Sequence, residues 1–291
     1  MWPDPLGAAP GANDQDLIMT SPLLDPRFKR VFGTFPLKQE ALAQALQCAI
    51  DTGYRAVDTA QMYKNEADVG ETLAHCGVAR DDLCIVTKVH PDNFAPERFM
   101  ASVEQSLKDL RVSQVDVLLL HWPPKGEDVA PSLKQLDLAA REGLAKHVGV
   151  SNYTSAMMRT AQQTLSVPVA ANQVEFHPLL DQSRLMATAS ELGIPLMAYC
   201  AAARGKVLDF PLFGEMGARH GKTAMQVALR WIMQKGVATN TMSTKPENIR
   251  ANFEIDDFAL SDEEMRAIDA LNATGYRIVS DQISPWAPNW D

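Results

Sequence analysis

Four residues of the right types, at short intervals, could do chemistry together: Asp58, Tyr63, Lys88 and His121. Asp58 closes the run Arg55-Ala56-Val57-Asp58-Thr59, and Tyr63 follows five residues later. Lys88 follows Ile85-Val86-Thr87, and His121 follows Val117-Leu118-Leu119-Leu120. Asp58, Lys88 and His121 therefore each end an apolar, β-rich run. A buried Lys and a buried Asp must pair, since an unpaired charge away from water is very costly. A Lys beside a Tyr favours phenolate and lowers the phenol's pKa. A neighbouring His adds a second donor or a proton relay. Together the four make a tunable phenol that can hand a proton to an oxyanion. Singly, each reads better as an ion pair, a cap or surface packing. Their recurrence on three successive segment ends is what marks a site.

The surrounding elements must bring those ends together. Short apolar runs at 55–59, 83–89, 115–122, 146–152, 169–176, 194–200 and 237–242 read as strands. Between them, 41–52, 97–110, 133–142, 155–165, 183–192, 224–234 and 262–271 carry apolar residues at three- and four-residue spacing, as amphipathic helices do. Asn65 is placed to cap a further helix through Val69 and Leu73, and Ser261 precedes three acidic residues of a first turn. Gly143 and Gly193 stand between a helix and the next strand, where a left-handed cap is wanted. Strands alternating with helices imply consecutive βα units and a parallel sheet. Residues 257–260 are the expected eighth strand, although their pattern is weak. An open dinucleotide-binding sheet would show GxGxxG after its first strand, and no such run exists. The expected fold is a single (β/α)8 TIM barrel over 26–291, with catalytic side chains at the C-terminal strand ends.

The chain has 291 residues, 46% hydrophobic and 22% charged, with a net charge of −9. An acidic balance argues against a nucleic-acid partner. No apolar run approaches membrane-spanning length. The four scattered cysteines, Cys48, Cys76, Cys84 and Cys200, form no metal-ligand pattern and are expected as free thiols in the cytoplasm. Residues 1–25 are expected to be a disordered leader. Their first part is rich in Pro and Gly and lacks a secretory signal's basic and apolar regions, and Met19 is an alternative start. Ordered structure is expected from near Pro22.

The motifs then point to a family. The run 53–70 (GYRAVDTAQMYKNEADVG) resembles the signature of the aldo-keto reductases. So do Thr87-Lys88, His121-Trp122-Pro123, Gly149-Val150-Ser151-Asn152, Asn172-Gln173-Val174-Glu175-Phe176-His177-Pro178 and Tyr199, in order over about 28–291. Within the family the chain is most similar to the bacterial 2,5-diketo-D-gluconate reductase B branch, through 199–206 (YCAAARGK), Ser243-Thr244-Lys245 and the ending Pro288-Asn289-Trp290-Asp291. The resemblance implies an oxidoreductase that passes a hydride from a nicotinamide cofactor to an aldehyde or ketone. Tyr63 would be the general acid, Lys88 and Asp58 would tune it, and His121 would orient the carbonyl. Ser151, Asn152 and Gln173 fall where members hydrogen-bond the carboxamide, and Tyr199 where a ring stacks on the nicotinamide. Cys200, Gly205, Met242, Ser243, Thr244, Asn248 and Asn252 fall on the rest of the cofactor site.

Some of those positions depart from the pattern. Cys200-Ala201-Ala202 stands where many members have Ser-Pro-Leu, which removes a hydroxyl facing the pyrophosphate. Asn240-Thr241-Met242-Ser243 stands where many have Ile-Pro-Lys-Ser, and Asn248 replaces an arginine. The resemblance implies NADPH, but with NADH possible, since both expected cations for a 2′-phosphate are missing.

Phe35, Met62, His90, Trp122 and Trp286 are expected to line a substrate pocket, with the Trp286/Trp290 tail closing on the barrel mouth. The resemblance implies a keto-sugar acid or methylglyoxal as substrate, with a larger alicyclic ketone left open. A metal centre is not expected, because Asp58 lacks histidine neighbours and Lys88 would repel a cation. The remaining alternative is a catalytically idle, cofactor-binding relative with a regulatory role. The chain is otherwise expected to act as a monomer on a small molecule, without nucleic acid or membrane.

Overall fold

Eight parallel strands close into a barrel in chain order. They are β1 (Arg30–Gly33), β2 (Ala56–Asp58), β3 (Cys84–Val89), β4 (Val115–Leu120), β5 (Ala145–Ser151), β6 (Val169–Glu175), β7 (Leu196–Tyr199) and β8 (Ala238–Thr241). The structure is a computed structural model and describes residues 21–126 and 128–291. The leader expected over 1–25 lies outside the described residues up to position 20. From Ser21 on, the chain packs against the barrel: Ser21 Oγ donates to Ala170 O at 2.6 Å, and Leu23 is buried.

The helices ring the barrel. They are α1 (Gln39–Thr52), α2 (Glu66–Ala74), α3 (Pro96–Leu110), α4 (Ala130–Arg141), α5 (Ser155–Thr164), α6 (Ser183–Leu192), α7 (Pro211–His220), α8 (Ala224–Gln234), α9 (Pro246–Phe253) and α10 (Asp262–Asp269). Strands buried on both faces read as continuous apolar runs, which is why most were legible. In β4, Val117 and Leu119 join the barrel's interior cluster, while Val115, Leu118 and Leu120 pack under the helices. Two 3-10 turns, Pro22–Leu24 and Pro26–Phe28, supply Leu23 and Phe28 to the same interior cluster as Val31 and Ala56.

The eighth strand is not where the pattern suggested. Residues 257–260 form no strand; Leu260 N donates to Gln234 Oε1 and Leu260 O accepts from Gln234 Nε2. One side-chain amide thus satisfies backbone groups that a ladder would otherwise need. The missing strand is β1, which pairs β2 on one side and β8 on the other. Its four residues end in Gly33 and carry too little pattern to stand out. The pattern also left α7 unmarked. Asn65 precedes α2 without a side-chain cap. Its Nδ2 instead donates to Thr34 O (3.2 Å) and Leu37 O (2.9 Å), and its Oδ1 accepts from Thr59 Oγ1, tying the β1–α1 loop to β2. Ser261 does cap α10, in a capping box with Glu264, and Gly143 and Gly193 are left-handed, at φ 73° and 66°. Among the described residues no helix is long and apolar enough to cross a membrane.

Candidate active site

Asp58 is the last residue of β2, Lys88 lies one residue before the end of β3, and His121 directly follows β4. Tyr63 ends the single 3-10 turn Gln61–Tyr63 after β2. That turn is pinned by Gln61. Its Nε2 donates to Ser102 and Ser106 of α3, and its Oε1 accepts from His90 N at 2.8 Å and Asn93 Nδ2 at 2.9 Å.

The predicted pair forms. Lys88 Nζ lies 2.8 and 2.7 Å from the two Asp58 oxygens, 2.9 Å from Thr59 O and 3.4 Å from the Tyr63 hydroxyl. Both charged groups are almost wholly buried. Asp58 also accepts from Gln173 Nε2 on Oδ1 at 2.8 Å and from Asn240 Nδ2 on Oδ2 at 2.9 Å. Such saturation is what a buried charge pair requires. The Tyr63 and His121 rings meet edge-on at 5.5 Å, and Phe35 leans on Tyr63 at 5.1 Å.

Burial decides the electrostatics. It pushes the Tyr63 phenol above its ordinary pKa; Lys88 pulls it back down, and Asp58 opposes that. Lys88 therefore acts in the expected direction, but the net shift is upward because desolvation outweighs it. The phenol holds its proton, as a proton donor must. Burial alone would depress Lys88, yet Asp58 and Tyr63 hold its ammonium above the usual range. Burial, then Lys88, puts His121 well below its ordinary value, so the imidazole is neutral. His121 Nδ1 is buried without a hydrogen-bond partner. An orphaned acceptor costs less than an orphaned N–H, which favours the tautomer with its proton on Nε2.

These groups open onto a cavity of about 810 Å³. Phe35, Met62, Trp122 and Trp286 line it, as do Ser151, Asn152, Gln173, Tyr199, Cys200, Gly205, Met242 and Asn252. His90 is not on the wall; its ring stands edge-on against Trp286 at 5.3 Å. Ser243, Thr244 and Asn248 also lie off the wall, at the approach to α9 and in its first turn; Thr244 and Asn248 are exposed. Trp290 is not on the wall; its ring takes the Arg277 guanidinium over its face at 4.1 Å.

The cavity runs past the ends of β4, β5, β6, β7 and β8. Its polar groups are already arranged: Tyr199 donates to Asn152 Oδ1 at 2.6 Å, Asn152 Nδ2 to His121 O at 3.0 Å, and Ser151 Oγ to Gln173 O at 2.8 Å. A cavity of this volume, lined by the Tyr199 ring and the Asn152 and Gln173 amides, offers groups that suit a nicotinamide beside a small substrate.

The sequence reading missed several wall residues, Asn240, Arg204 and Ile283 among them. Asn240 touches Asp58 directly. Arg204 is held left-handed at φ 53° and lines the cavity; its signal was a lone Arg in the small-residue loop Ala201-Ala202-Ala203-Arg204-Gly205. Ile283 enters from the tail. The tail is tied at both ends. Glu175, the buried last residue of β6, accepts from Ile278 N at 2.7 Å and Val279 N at 2.9 Å. Asp291 accepts from Ser155 N at 2.8 Å and Ser155 Oγ at 2.7 Å at the start of α5.

The fold and site define a (β/α)8 barrel enzyme with a buried, charge-paired phenol facing a cavity at the C-terminal strand ends. The chain belongs to the aldo/keto reductase family, with residues 31–273 matching it, and is an oxidoreductase that reduces carbonyl groups. It is 36% identical over 262 residues to methylglyoxal reductase DkgB of Escherichia coli O157:H7, covering 89% of this chain and 97% of that one. It is 37% identical over 229 residues to glyoxal reductase of Bacillus subtilis, covering 79% and 83%. A crystal structure provisionally named as a 2,5-diketo-D-gluconic acid reductase B superposes with a TM-score of 0.88 at 42% identity, covering 94% and 98%. The Bombyx mori aldo-keto reductase in complex with NADP superposes at 0.81 with 28% identity, covering 89% and 94%.

Proposed function

We propose that this protein is an NADPH-dependent reductase of small dicarbonyl compounds, of the methylglyoxal or keto-sugar-acid class, with Tyr63 as the general acid. The observation that carries the reading is the Lys88 ammonium, bound to Asp58 at 2.7 Å and 3.4 Å from the Tyr63 hydroxyl, at the floor of the cleft. A bound nicotinamide would supply the hydride, which no side chain can. Ser151, Asn152 and Gln173 would hold its carboxamide, Tyr199 its ring, and Cys200, Gly205, Met242 and Asn252 the remainder. The carbonyl oxygen lies between the Tyr63 hydroxyl and the neutral His121, whose N–H orients it. As negative charge develops on that oxygen, Tyr63 transfers its proton, and the product leaves as the alcohol. Lys88 stabilises the phenolate left behind until solvent reprotonates it.

Relatives named as methylglyoxal and glyoxal reductases support a small dicarbonyl substrate. The Bombyx mori complex supports the phosphorylated dinucleotide. The free thiols Cys48, Cys76, Cys84 and Cys200 support a reducing compartment, the cytoplasm.

Replacing Tyr63 with Phe tests the assignment. The hydroxyl makes one long contact, so the fold and NADPH affinity should survive while kcat for methylglyoxal falls roughly 10²–10⁴-fold. The readout is NADPH consumption at 340 nm beside a fluorescence titration of the cofactor. A variant that keeps most of its kcat would overturn the assignment.

A further inference from the structure

β1 lies between β8 and β2 in the barrel. Asn240, on β8, pairs in register with Val31 of β1, and Asp58, on β2, pairs with Gly33. A hydrogen bond from Asn240 to Asp58 must therefore pass over β1. It does: Asn240 Nδ2 donates to Asp58 Oδ2 at 2.9 Å. It passes over Gly33, where no side chain stands in the way. A Cβ added to Gly33 would lie 2.5 Å from Asn240 Oδ1, which no real contact allows. Gly33 φ is not positive, so backbone freedom is not what glycine provides here. What it provides is space for the amide.

We propose that Asn240 is a positioning residue of the proton-donating machinery, holding the Asp58 carboxylate so that Lys88 stays directed at Tyr63. The inference rests on the reading of Tyr63 as the acid. Asp58 has two amide donors, one on each oxygen. Gln173 is shared with the expected carboxamide site, whereas Asn240 belongs to none of the positions assigned to the cofactor. It is the donor that Asp58 keeps whatever Gln173 does.

The titratable groups around the Tyr63 phenol are Lys88 from β3, Asp58 from β2, His121 after β4, Tyr199 at the end of β7 and Cys200 directly after it. Asp58 opposes phenolate and Lys88 favours it. Removing the Asn240 donor leaves more of the Asp58 charge unshared and frees the carboxylate to turn. Both changes weaken the support that Lys88 gives to Tyr63.

The test is a double-mutant cycle with Asn240→Ala and Gly33→Ala, measured on the whole enzyme. Asn240→Ala should lower kcat for methylglyoxal about 10-fold, the scale of one hydrogen bond to a charged group. It should move the alkaline limb of the pH–rate profile upward by roughly half a unit. NADPH affinity should stay within about two-fold, since the change acts on the acid. Gly33→Ala should reproduce the same signature by pushing the amide aside. In the Asn240→Ala background Gly33→Ala should add little, because the space is then empty.

An unmoved pH limb overturns the proposal, and so do additive effects of the two changes. A loss of NADPH affinity as large as the loss of kcat also overturns it, since Asn240 would then act through the cofactor. Tyr63→Phe separates the two levels. If that variant stays active, the general-acid reading fails. If it is inactive while Asn240→Ala leaves the pH limb in place, only the positioning role fails.

Discussion

Restoring a cation at position 242 tests how this chain would meet a 2′-phosphate. Met242 lines the cleft just beyond β8 and is 39% exposed. That exposure sets the magnitude. Two unit charges about 4 Å apart attract by about 1 kcal/mol in water and about 4 at an effective dielectric near 20. A side chain this open to solvent lies toward the watery end, but a phosphate carries roughly 1.5–2 charges at neutral pH. Charge-assisted hydrogen bonds bring about 1.5–3 kcal/mol in measured series. Met242→Lys should therefore tighten NADPH roughly 10- to 100-fold. NADH lacks the phosphate and should change by less than about two-fold. The gain should shrink as salt rises from about 0.05 to about 0.5 M, because exposed pairs are screened. Fluorescence titration of both cofactors against both proteins, at both salt concentrations, reads all of this. An unchanged NADPH-to-NADH ratio in the variant would mean that the phosphate does not sit at position 242. A wild-type protein that binds NADH more tightly would refute the choice of NADPH.

Two further outcomes are expected. Trp286 lines the cleft and is steadied by His90, so Trp286→Ala should raise KM for a bulky cyclic ketone about 5-fold or more, the scale of one aromatic contact, and leave methylglyoxal nearly unchanged; equal effects on both substrates would mean that the tail only packs. Glu66 is buried behind the site, bonded to Thr87 Oγ1 and Ser106 Oγ, and burial pushes its pKa to about 7 from an ordinary 4.5. The fold thus prefers its protonated form: the stabilisation is complete below about pH 4.5 and is lost as pH rises through about 7. Glu66→Gln should flatten that part of the melting-temperature profile by several degrees, and a variant whose profile parallels the wild type would show that Glu66 titrates normally.

What the sequence determined by itself is local. Strands buried on both faces must be apolar throughout, so seven of them could be read directly, and the alternation with helices implied the barrel. Asp58, Lys88 and His121 each break or end such a run with a polar group, and this placed them at one mouth before any coordinates. The ion pair followed from the cost of burying either charge alone. Tertiary structure decided what depends on neighbours distant in sequence. β1 has only four residues and takes its identity from pairing with β2 and β8. Residues 257–260 looked like a strand but had their backbone groups satisfied by Gln234. The net upward shift at Tyr63 is a balance between burial and Lys88, and burial is the sum of packing from every side. Trp290 and Trp286 are alike in sequence, but one packs against Arg277 while the other lines the cavity. The reach of Asn240 over Gly33 to Asp58 joins three strands through 182 positions of chain, and only barrel closure brings them within one hydrogen bond. Residue pattern carries period and chemical type along the chain; closure and desolvation belong to the packed whole.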